Sequence, residues 1–285
     1  MILTNEEAVQ LKEQYTHAHR EFAISVTDKC NMKCAVCYME SGEGIQHTIS
    51  KQLIKRAIDL LDREWFVVIT GGECTLRLDL CKYIIKECHK KGIQVRLKTN
   101  GLWRCSIKKI IRLDADVMSL GINQYHKKLS PKKANRIIKA FSSDSVRTKL
   151  TINTFLNTDL SEYQIPDGMC VIHDEVSPVG RGLVNALDTA DLHWTDCSSQ
   201  GLKLLPTGHL VGFCRQGRHA CSFGDMNYID SSDFERFKEV LKRQPMFRWL
   251  PNGATHSYAC PRGNAIFNPA FDDDKTILDV KTVKE

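Results

Sequence analysis

The chain has 285 residues, of which 42% are hydrophobic and 26% charged, and its formal net charge is +6 at neutral pH. These proportions are typical of a soluble globular protein, and so modest a charge with no basic-aromatic patch argues against a nucleic-acid-binding protein. No apolar run approaches the roughly 18 residues of a membrane-spanning helix, and residues 1–20 lack the apolar core of a signal peptide. We therefore expect a cytoplasmic protein without a membrane or nucleic-acid partner.

From residue 22 to about residue 178, short apolar stretches alternate with amphipathic ones. The pattern predicts strands at 22–27, 66–73, 93–101, 116–123, 146–157 and 170–178, and helices at 50–65, 78–92, 106–113 and 130–141. Strands that alternate with helices form a parallel sheet with right-handed crossovers. Six such units predict an α/β fold, a partial (β/α)6 TIM-like barrel with a small C-terminal α+β extension.

The alternation ends near residue 190, which we take as a boundary. Beyond it, residues 202–214 predict a hairpin that turns at Pro206-Thr207-Gly208, and residues 231–243 predict a capped helix. The expected organisation is an N-terminal helical segment (1–20), a core (21–190), a C-terminal segment (191–267) and a polar tail (268–285).

Three cysteines lie within eight residues directly after the first predicted strand, in the sequence CNMKCAVC (Cys30, Cys34 and Cys37). Cytoplasmic thiols are kept reduced, so metal ligation or core packing explains them better than disulfides. A cubane iron–sulfur cluster takes one thiolate per iron, so three thiolates would leave the fourth iron open. Structural zinc prefers four ligands, often as two C-x2-C pairs, and only Cys34 and Cys37 form such a pair. Zinc and simple packing remain the alternatives.

The loop is followed by ITGGE (69–73) after the second predicted strand, and together they resemble the radical S-adenosylmethionine (radical SAM) superfamily. KTNGLW (98–103), INQYH (122–126) and SPVGRG (177–182) resemble further segments of that family in the expected order. The resemblance implies that SAM chelates the open iron of a 4Fe-4S cluster. It also implies reductive cleavage of SAM to methionine and a 5′-deoxyadenosyl radical, which abstracts a substrate hydrogen.

Several further residues become candidate contacts of SAM through this resemblance. Gly71 and Gly72 would let the backbone approach a ligand, although a tight turn would also need them. Glu73 would accept hydrogen bonds from the SAM amino group. The remaining candidates have local alternatives: Asn123 and Asn153 for the ribose hydroxyls or for nearby backbone, and Arg181 for the SAM carboxylate or for solvent.

Four more cysteines, Cys197, Cys214, Cys221 and Cys260, lie beyond the predicted barrel. Their order around the hairpin resembles the SPASM or shorter twitch extensions of radical SAM enzymes, which implies a second, auxiliary 4Fe-4S cluster. Cys221 is the expected fourth ligand, with substrate or an open site as the alternative. A structural zinc is the alternative to the whole cluster. By contrast, Cys81 and Cys88 are seven residues apart on a predicted helix, which favours core packing.

Within the superfamily, NGLW, QYH and a one-cluster extension resemble enzymes related to peptide epimerases. Arg215 stands where such an epimerase has a hydrogen-donating cysteine. The expected function is hydrogen abstraction from a peptide or small natural product, leading to epimerisation, dehydrogenation or cross-linking. The resemblance implies an electron donor such as flavodoxin or ferredoxin. The alternatives are a glycyl-radical enzyme activase and a non-catalytic iron- or zinc-binding protein.

Overall fold

The computed structural model describes residues 20–37, 39–42, 44, 46–155, 157–174, 181, 201–212 and 222–235. Six strands come first in chain order: β1 (Arg20–Ser25), β2 (Trp65–Thr70), β3 (Val95–Thr99), β4 (Val117–Gly121), β5 (Lys149–Phe155) and β6 (Val171–Asp174). The helices between them are α1 (Lys51–Leu60), α2 (Leu78–Lys90), α3 (Ile107–Ile111) and α4 (Pro131–Phe141), with a 3-10 turn at Cys74–Arg77 before α2. All six strands and four helices predicted from the sequence are present, with ends that differ by a few residues.

Serine caps explain where two of these helices begin. Ser50 Oγ accepts a hydrogen bond from Leu53 N at the start of α1. Ser130 Oγ does the same for Lys133 N at the start of α4, where Pro131 occupies the first helical position. A serine cap satisfies a backbone N–H that has no partner within the helix. Proline at the first helical position loses no hydrogen bond, because the N–H that it lacks would have no partner within the helix.

The strands form one sheet in the order β6-β5-β4-β3-β2-β1-β7-β8-β9, where β7 is Gly201–Leu204, β8 His209–Gly212 and β9 Ser222–Asp225. Strands β1 to β6 pair in parallel, and the sheet does not close into a complete barrel. The predicted hairpin is present as β7 and β8. It continues the main sheet, because β7 pairs in parallel with β1 from Glu21 opposite Gly201 to Ile24 opposite Leu204.

The two faces of the sheet differ in polarity. Phe22, Ile24, Val67 and Ile69 belong to the large hydrophobic core beneath the helices. Because side chains alternate along a strand, the neighbours of these residues point to the opposite, inner face. The described inner face carries many polar side chains, among them Ser25, Thr70, Arg96, Lys98, Ser119, Thr151 and Lys203. A partial barrel with such a face is suited to bind a polar ligand.

The described C-terminal residues pack on the core at the start of the strands. Phe234 lies with its ring centroid 6.0 Å from Phe22 and 5.9 Å from Trp65. Arg56 of α1 donates to the carbonyls of Met226 and Ile229. Residues 231–235 form the start of the predicted C-terminal helix. None of the described helices is long and apolar enough to cross a membrane.

Candidate active site

The segment that carries Cys30, Cys34 and Cys37, residues 28–42, is the cysteine loop. It follows the carboxyl end of β1, where parallel barrels place their ligands. Cys30, Cys34 and Cys37 are free thiols and all three are partly exposed. The loop is closed by hydrogen bonds between Gly42 N and Asp28 O (2.9 Å) and between Cys37 N and Cys34 O (3.3 Å). Within the described residues, no three His, Cys, Asp or Glu side chains are gathered as a preformed metal site.

The chemistry of these thiols fits an iron–sulfur cluster. Burial raises the pKa of the Cys30 thiol. Burial, followed by the neighbouring Cys37 and Cys30, raises the pKa of Cys34 to about 11. The metal-free thiols of Cys30 and Cys34 are therefore protonated at neutral pH, and ligation must displace their protons. Soft thiolate ligands on one short loop suit iron–sulfur chemistry.

The two glycines after β2 lie against the backbone that leads into the cysteine loop. Gly72 N donates to Thr27 O (2.7 Å) and Glu73 N donates to Lys29 O (2.8 Å). A Cβ on Gly72 would lie 2.2 Å from Lys29 O, and one on Gly71 would lie 2.6 Å from Thr27 O. Gly71 also has a φ of +147°. Their immediate role is thus to let the ends of β1 and β2 approach each other closely.

Glu73 turns into the protein and joins the ends of β2 and β3. Its side chain is 1% exposed. Oε1 accepts from the hydroxyl of Thr99 (2.7 Å) and from both the backbone N and the hydroxyl of Thr75, while Oε2 accepts from Asn100 N (2.8 Å). Burial raises the pKa of Glu73, and these hydrogen bonds oppose that rise. Oε2 accepts one described hydrogen bond and has capacity for a second.

Asn100 connects this network to the cysteine loop. Its side-chain amide donates to Asn31 Oδ1 (2.8 Å) and contacts Cys30 Sγ at 3.9 Å. Asn31 Nδ2 in turn donates to Leu102 O (2.6 Å). Thr99 is held by Trp103 Nε1, which donates to its hydroxyl at 2.8 Å. The TNG segment was predicted to lie at the site, but Thr99, Asn100 and Asn31 were not among the predicted site residues.

Arg181 holds the same loop from the other side. Its Nε donates to Cys34 O (2.8 Å), and its backbone N donates to Cys37 O (3.2 Å). Both terminal guanidinium nitrogens lie 3.3 Å from Ser41 O. The Arg181 side chain is half-buried and hydrogen-bonded to the loop, and its predicted contact with the SAM carboxylate stays a prediction. It fixes the backbone carbonyls of two of the three cysteines, Cys34 and Cys37.

The family model described as "Radical SAM superfamily" matches residues 24–171. This range includes the cysteine loop, the GGE motif after β2 and the TNG motif at the end of β3. The chain belongs to the radical SAM superfamily.

Curated relatives are named GTP 3′,8-cyclase. The one from Cronobacter sakazakii is 27% identical over 176 residues, covering 55% of this chain and 53% of that protein. The one from Vibrio parahaemolyticus is 29% identical over 196 residues, covering 61% and 57%. This radical SAM chain therefore spans little more than half the length of these relatives.

Solved structures share the fold at low sequence identity. The structure of anSMEcpe with bound AdoMet and the Cp18Cys peptide has a TM-score of 0.53 and 12% identity, covering 92% of this chain and 98% of that one. BtrN in complex with AdoMet and 2-DOIA has a TM-score of 0.52 and 13% identity, covering 79% and 87%. Both likenesses support the partial-barrel α/β fold of this chain.

The other candidates of this radical SAM site lie at the ends of β4 and β5. The Asn123 side chain accepts from Tyr125 N (3.0 Å), which is a local turn contact. Asn153 pairs with Gly121 across the two strands, and its carbonyl accepts from Ile122 N (2.8 Å). Neither contact bears on the predicted ribose binding, which stays a prediction.

His126 packs beneath this end of the sheet, with Nδ1 2.9 Å from the carbonyl of Gly121. Burial lowers the pKa of His126 below its usual 6.5, and the bond to Gly121 opposes that change. Below pH 6.5 His126 therefore binds a proton in the unfolded chain but not in the folded chain. The contribution of neutral His126 to the free energy of unfolding is complete above pH 6.5. It is lost as the pH falls toward the folded-state pKa, by up to about 1.4 kcal/mol per pH unit.

This pH effect is measurable as the difference in unfolding free energy between wild type and His126→Asn, by urea denaturation from pH 7.5 to pH 5. We expect the wild-type advantage to shrink as the pH falls, because the variant retains every other titrating group. A difference that stays constant over this range would contradict the effect.

Several of the remaining cysteines are buried, and four others lie outside the described residues. Cys81 and Cys88 are fully buried in the core, as predicted. Cys74, which follows Glu73, is also buried and its thiol donates to Lys98 O at 3.0 Å. The predicted auxiliary ligands Cys197, Cys214, Cys221 and Cys260 lie outside the described residues.

Proposed function

We propose that this protein is a radical SAM enzyme that abstracts hydrogen from a peptide or a small natural product. The observation that carries the proposal is the three-cysteine loop, joined by hydrogen bonds to the GGE and TNG strand ends of a parallel sheet. Cys30, Cys34 and Cys37 would hold a 4Fe-4S cluster with SAM at its open iron. When bound and reduced, this pair supplies a 5′-deoxyadenosyl radical.

The protein's own residues would position these groups. Asn100 and Arg181 hold the loop backbone and the Cys30 sulfur from two sides, which restricts the positions of the ligands. Glu73 keeps an acceptor position on Oε2, which suits the SAM amino group. Asn123 and Asn153 are proposed for the ribose. Gly71 and Gly72 would contribute indirectly, because they let the ends of β1 and β2 approach each other.

The inner face supports a polar or charged substrate. Arg96 and Lys98 of β3 and Lys203 of β7 all stand on this face, and Arg96 lies over the Phe66 ring with its guanidinium carbon 5.2 Å from the centroid. Lys203 is 1% exposed and donates to Met39 Sδ (3.2 Å) beside the cysteine loop. These cations would attract carboxylate or phosphate groups. A nucleotide substrate is therefore the second candidate, also suggested by the names of the curated relatives.

We further propose an auxiliary 4Fe-4S cluster in a SPASM- or twitch-like segment, held by Cys197, Cys214, Cys221 and Cys260. It would accept an electron after hydrogen abstraction and so favour dehydrogenation or cross-linking. Arg215 weakens the case for epimerisation, although Cys221 could serve as hydrogen donor if the cluster has three protein ligands. A small acidic protein such as flavodoxin or ferredoxin would supply the first electron.

The test is transfer of substrate hydrogen to 5′-deoxyadenosine. The anaerobically loaded enzyme is incubated with SAM, dithionite and either a deuterated peptide library or deuterated GTP, and 5′-deoxyadenosine is analysed by mass spectrometry. Deuterium from a peptide would support the first candidate, and deuterium from GTP the second. A glycyl-radical signal on a partner protein would instead identify an activase. Absence of 5′-deoxyadenosine under all conditions would reject the proposal and favour a non-catalytic metal-binding protein.

A further inference from the structure

The overall charge of +6 conceals a strong local excess of basic residues. Residues 91–143 contain thirteen lysines and arginines against only two acidic residues, Asp114 and Asp116. This segment supplies β3, α3, β4 and α4 together with the loops between them. The charge is therefore concentrated on one part of the fold rather than spread along the chain.

Six exposed cations from this segment define what we call the basic face: Arg104, Lys108, Arg112, Lys127, Lys132 and Arg136. They come from α3, from α4 and from the loops that follow β3 and β4, and the two helices pack against each other. Among the described residues none of the six takes part in an ion pair. Within the described residues, no ion pair therefore neutralises the positive charge of this face.

The basic face adjoins the cysteine loop. Lys128, next to Lys127, donates to Asn31 O (3.2 Å), one residue after Cys30. Asn31 Nδ2 donates to Leu102 O, two residues before Arg104. Lys33 is exposed on the loop itself and carries the same charge. A partner that approaches the exposed edge of the loop therefore meets positive charge.

We propose that the basic face is the docking surface of an acidic electron-carrier protein. This inference rests on the proposed function, in which the cluster held by the cysteine loop must be reduced from outside. One electron leaves the carrier and one enters the cluster, with no bond made or broken. Electrostatic complementarity brings the carrier to the loop at a high rate and fixes its orientation.

The face is less suited to a nucleic acid. Proteins that bind single strands interleave exposed aromatic rings with their cations, because bases stack on such rings. Trp103 is buried, and the one large hydrophobic side chain that is strongly exposed in the described residues is Tyr228, which lies outside residues 91–143. The chemistry of this face is thus that of a charged protein contact.

The experiment compares two triple charge reversals in the loaded enzyme. The test variant carries Arg104→Glu, Lys108→Glu and Lys127→Glu. The control carries Arg63→Glu, Lys82→Glu and Lys86→Glu, which are exposed positions between β2 and α1 and on α2 with the same change in net charge. The readout is the Kd for oxidised flavodoxin, measured by surface plasmon resonance at low and at physiological ionic strength.

We expect the test variant to bind flavodoxin about tenfold or more weakly than wild type, and the control to lose much less. Wild-type binding should weaken as salt rises, because screening acts on exposed charges. Equal binding by wild type and the test variant would overturn the docking surface. Binding of single-stranded RNA but not of flavodoxin, lost in the test variant, would overturn it in favour of a nucleic-acid site.

SAM cleavage with dithionite separates this inference from the proposed function. Dithionite needs no docking surface, so both variants should cleave SAM at the wild-type rate. If wild type itself cleaves no SAM with dithionite, the proposed function has failed, whatever the flavodoxin affinity. If dithionite works in all three proteins and flavodoxin binds them equally, only the docking surface has failed.

Discussion

Replacing Cys34 by alanine is expected to abolish the iron–sulfur spectrum of the loop and with it the cleavage of SAM. A cubane held by three thiolates loses one of its three protein anchors when Cys34 is removed. We expect SAM cleavage to fall by more than the roughly 100-fold that loss of an outer-sphere partner costs at a metal site. The measurements are electron paramagnetic resonance of the reduced protein and 5′-deoxyadenosine formation.

The matched control is Cys105→Ala. Cys105 is also a partly exposed free thiol, but it follows β3 and packs at the edge of the main core. This variant should keep both the spectrum and SAM cleavage. Normal SAM cleavage by Cys34→Ala would contradict the assignment of the loop. Loss of cleavage together with loss of folding, seen by circular dichroism, would move the test to Cys34→Ser, which keeps the size of the side chain.

Replacing Gly72 by alanine is expected to destabilise the protein even without metal. The new Cβ would lie 2.2 Å from Lys29 O and 2.6 Å from the Lys29 carbonyl carbon, and both are backbone atoms that cannot rotate away. Either the end of β2 or the start of the cysteine loop must shift, which also disturbs the bond from Glu73 N to Lys29 O. Overpacking typically costs about 1–3 kcal/mol, and we expect the upper end of that range for so close a backbone contact. Urea denaturation of the metal-free protein measures it.

Gly44→Ala provides the comparison for Gly72→Ala. Gly44 has a φ of +61° and no atom within 4 Å of the added Cβ. Alanine there meets only the backbone penalty of the left-handed region, about 1 kcal/mol. We expect Gly72→Ala to lose clearly more stability and also to take up less iron. Equal losses in the two variants would mean that the contact between β2 and the loop is not tight.

The order of strands and helices was predictable because each element carries its own apolar period. For example, α4 begins with Ser130-Pro131 and buries Ala134, Ile137, Ile138 and Phe141 at helical spacing. The pairing of β7 with β1 was not predictable in the same way. These strands lie about 180 residues apart in sequence, and no local pattern records which strand will be a neighbour.

The candidate site was predictable in its motifs and less so in its contacts. The spacing of Cys30, Cys34 and Cys37 indicates that they are ligands of one cluster, and this prediction does not depend on the conformation of the loop. The direction of the Glu73 side chain depends on donors from Thr75, Thr99 and Asn100, which only the packing of β2 beside β3 brings together. Arg181 likewise reaches the loop across almost 150 residues of sequence. The contacts that support the site therefore cannot be predicted without the fold, whereas its ligands can be recognised in the sequence.

The measurement that tests the central claim most directly is anaerobic reconstitution of the wild type with iron and sulfide, followed by iron analysis and detection of 5′-deoxyadenosine with SAM and dithionite. Two cubanes would give about eight irons per chain, and a single cubane on the cysteine loop about four. We predict about eight irons, with SAM cleaved to 5′-deoxyadenosine. About four irons with cleavage would leave the loop assignment intact and remove the auxiliary cluster. Protein that binds zinc in place of iron and cleaves no SAM would contradict the account.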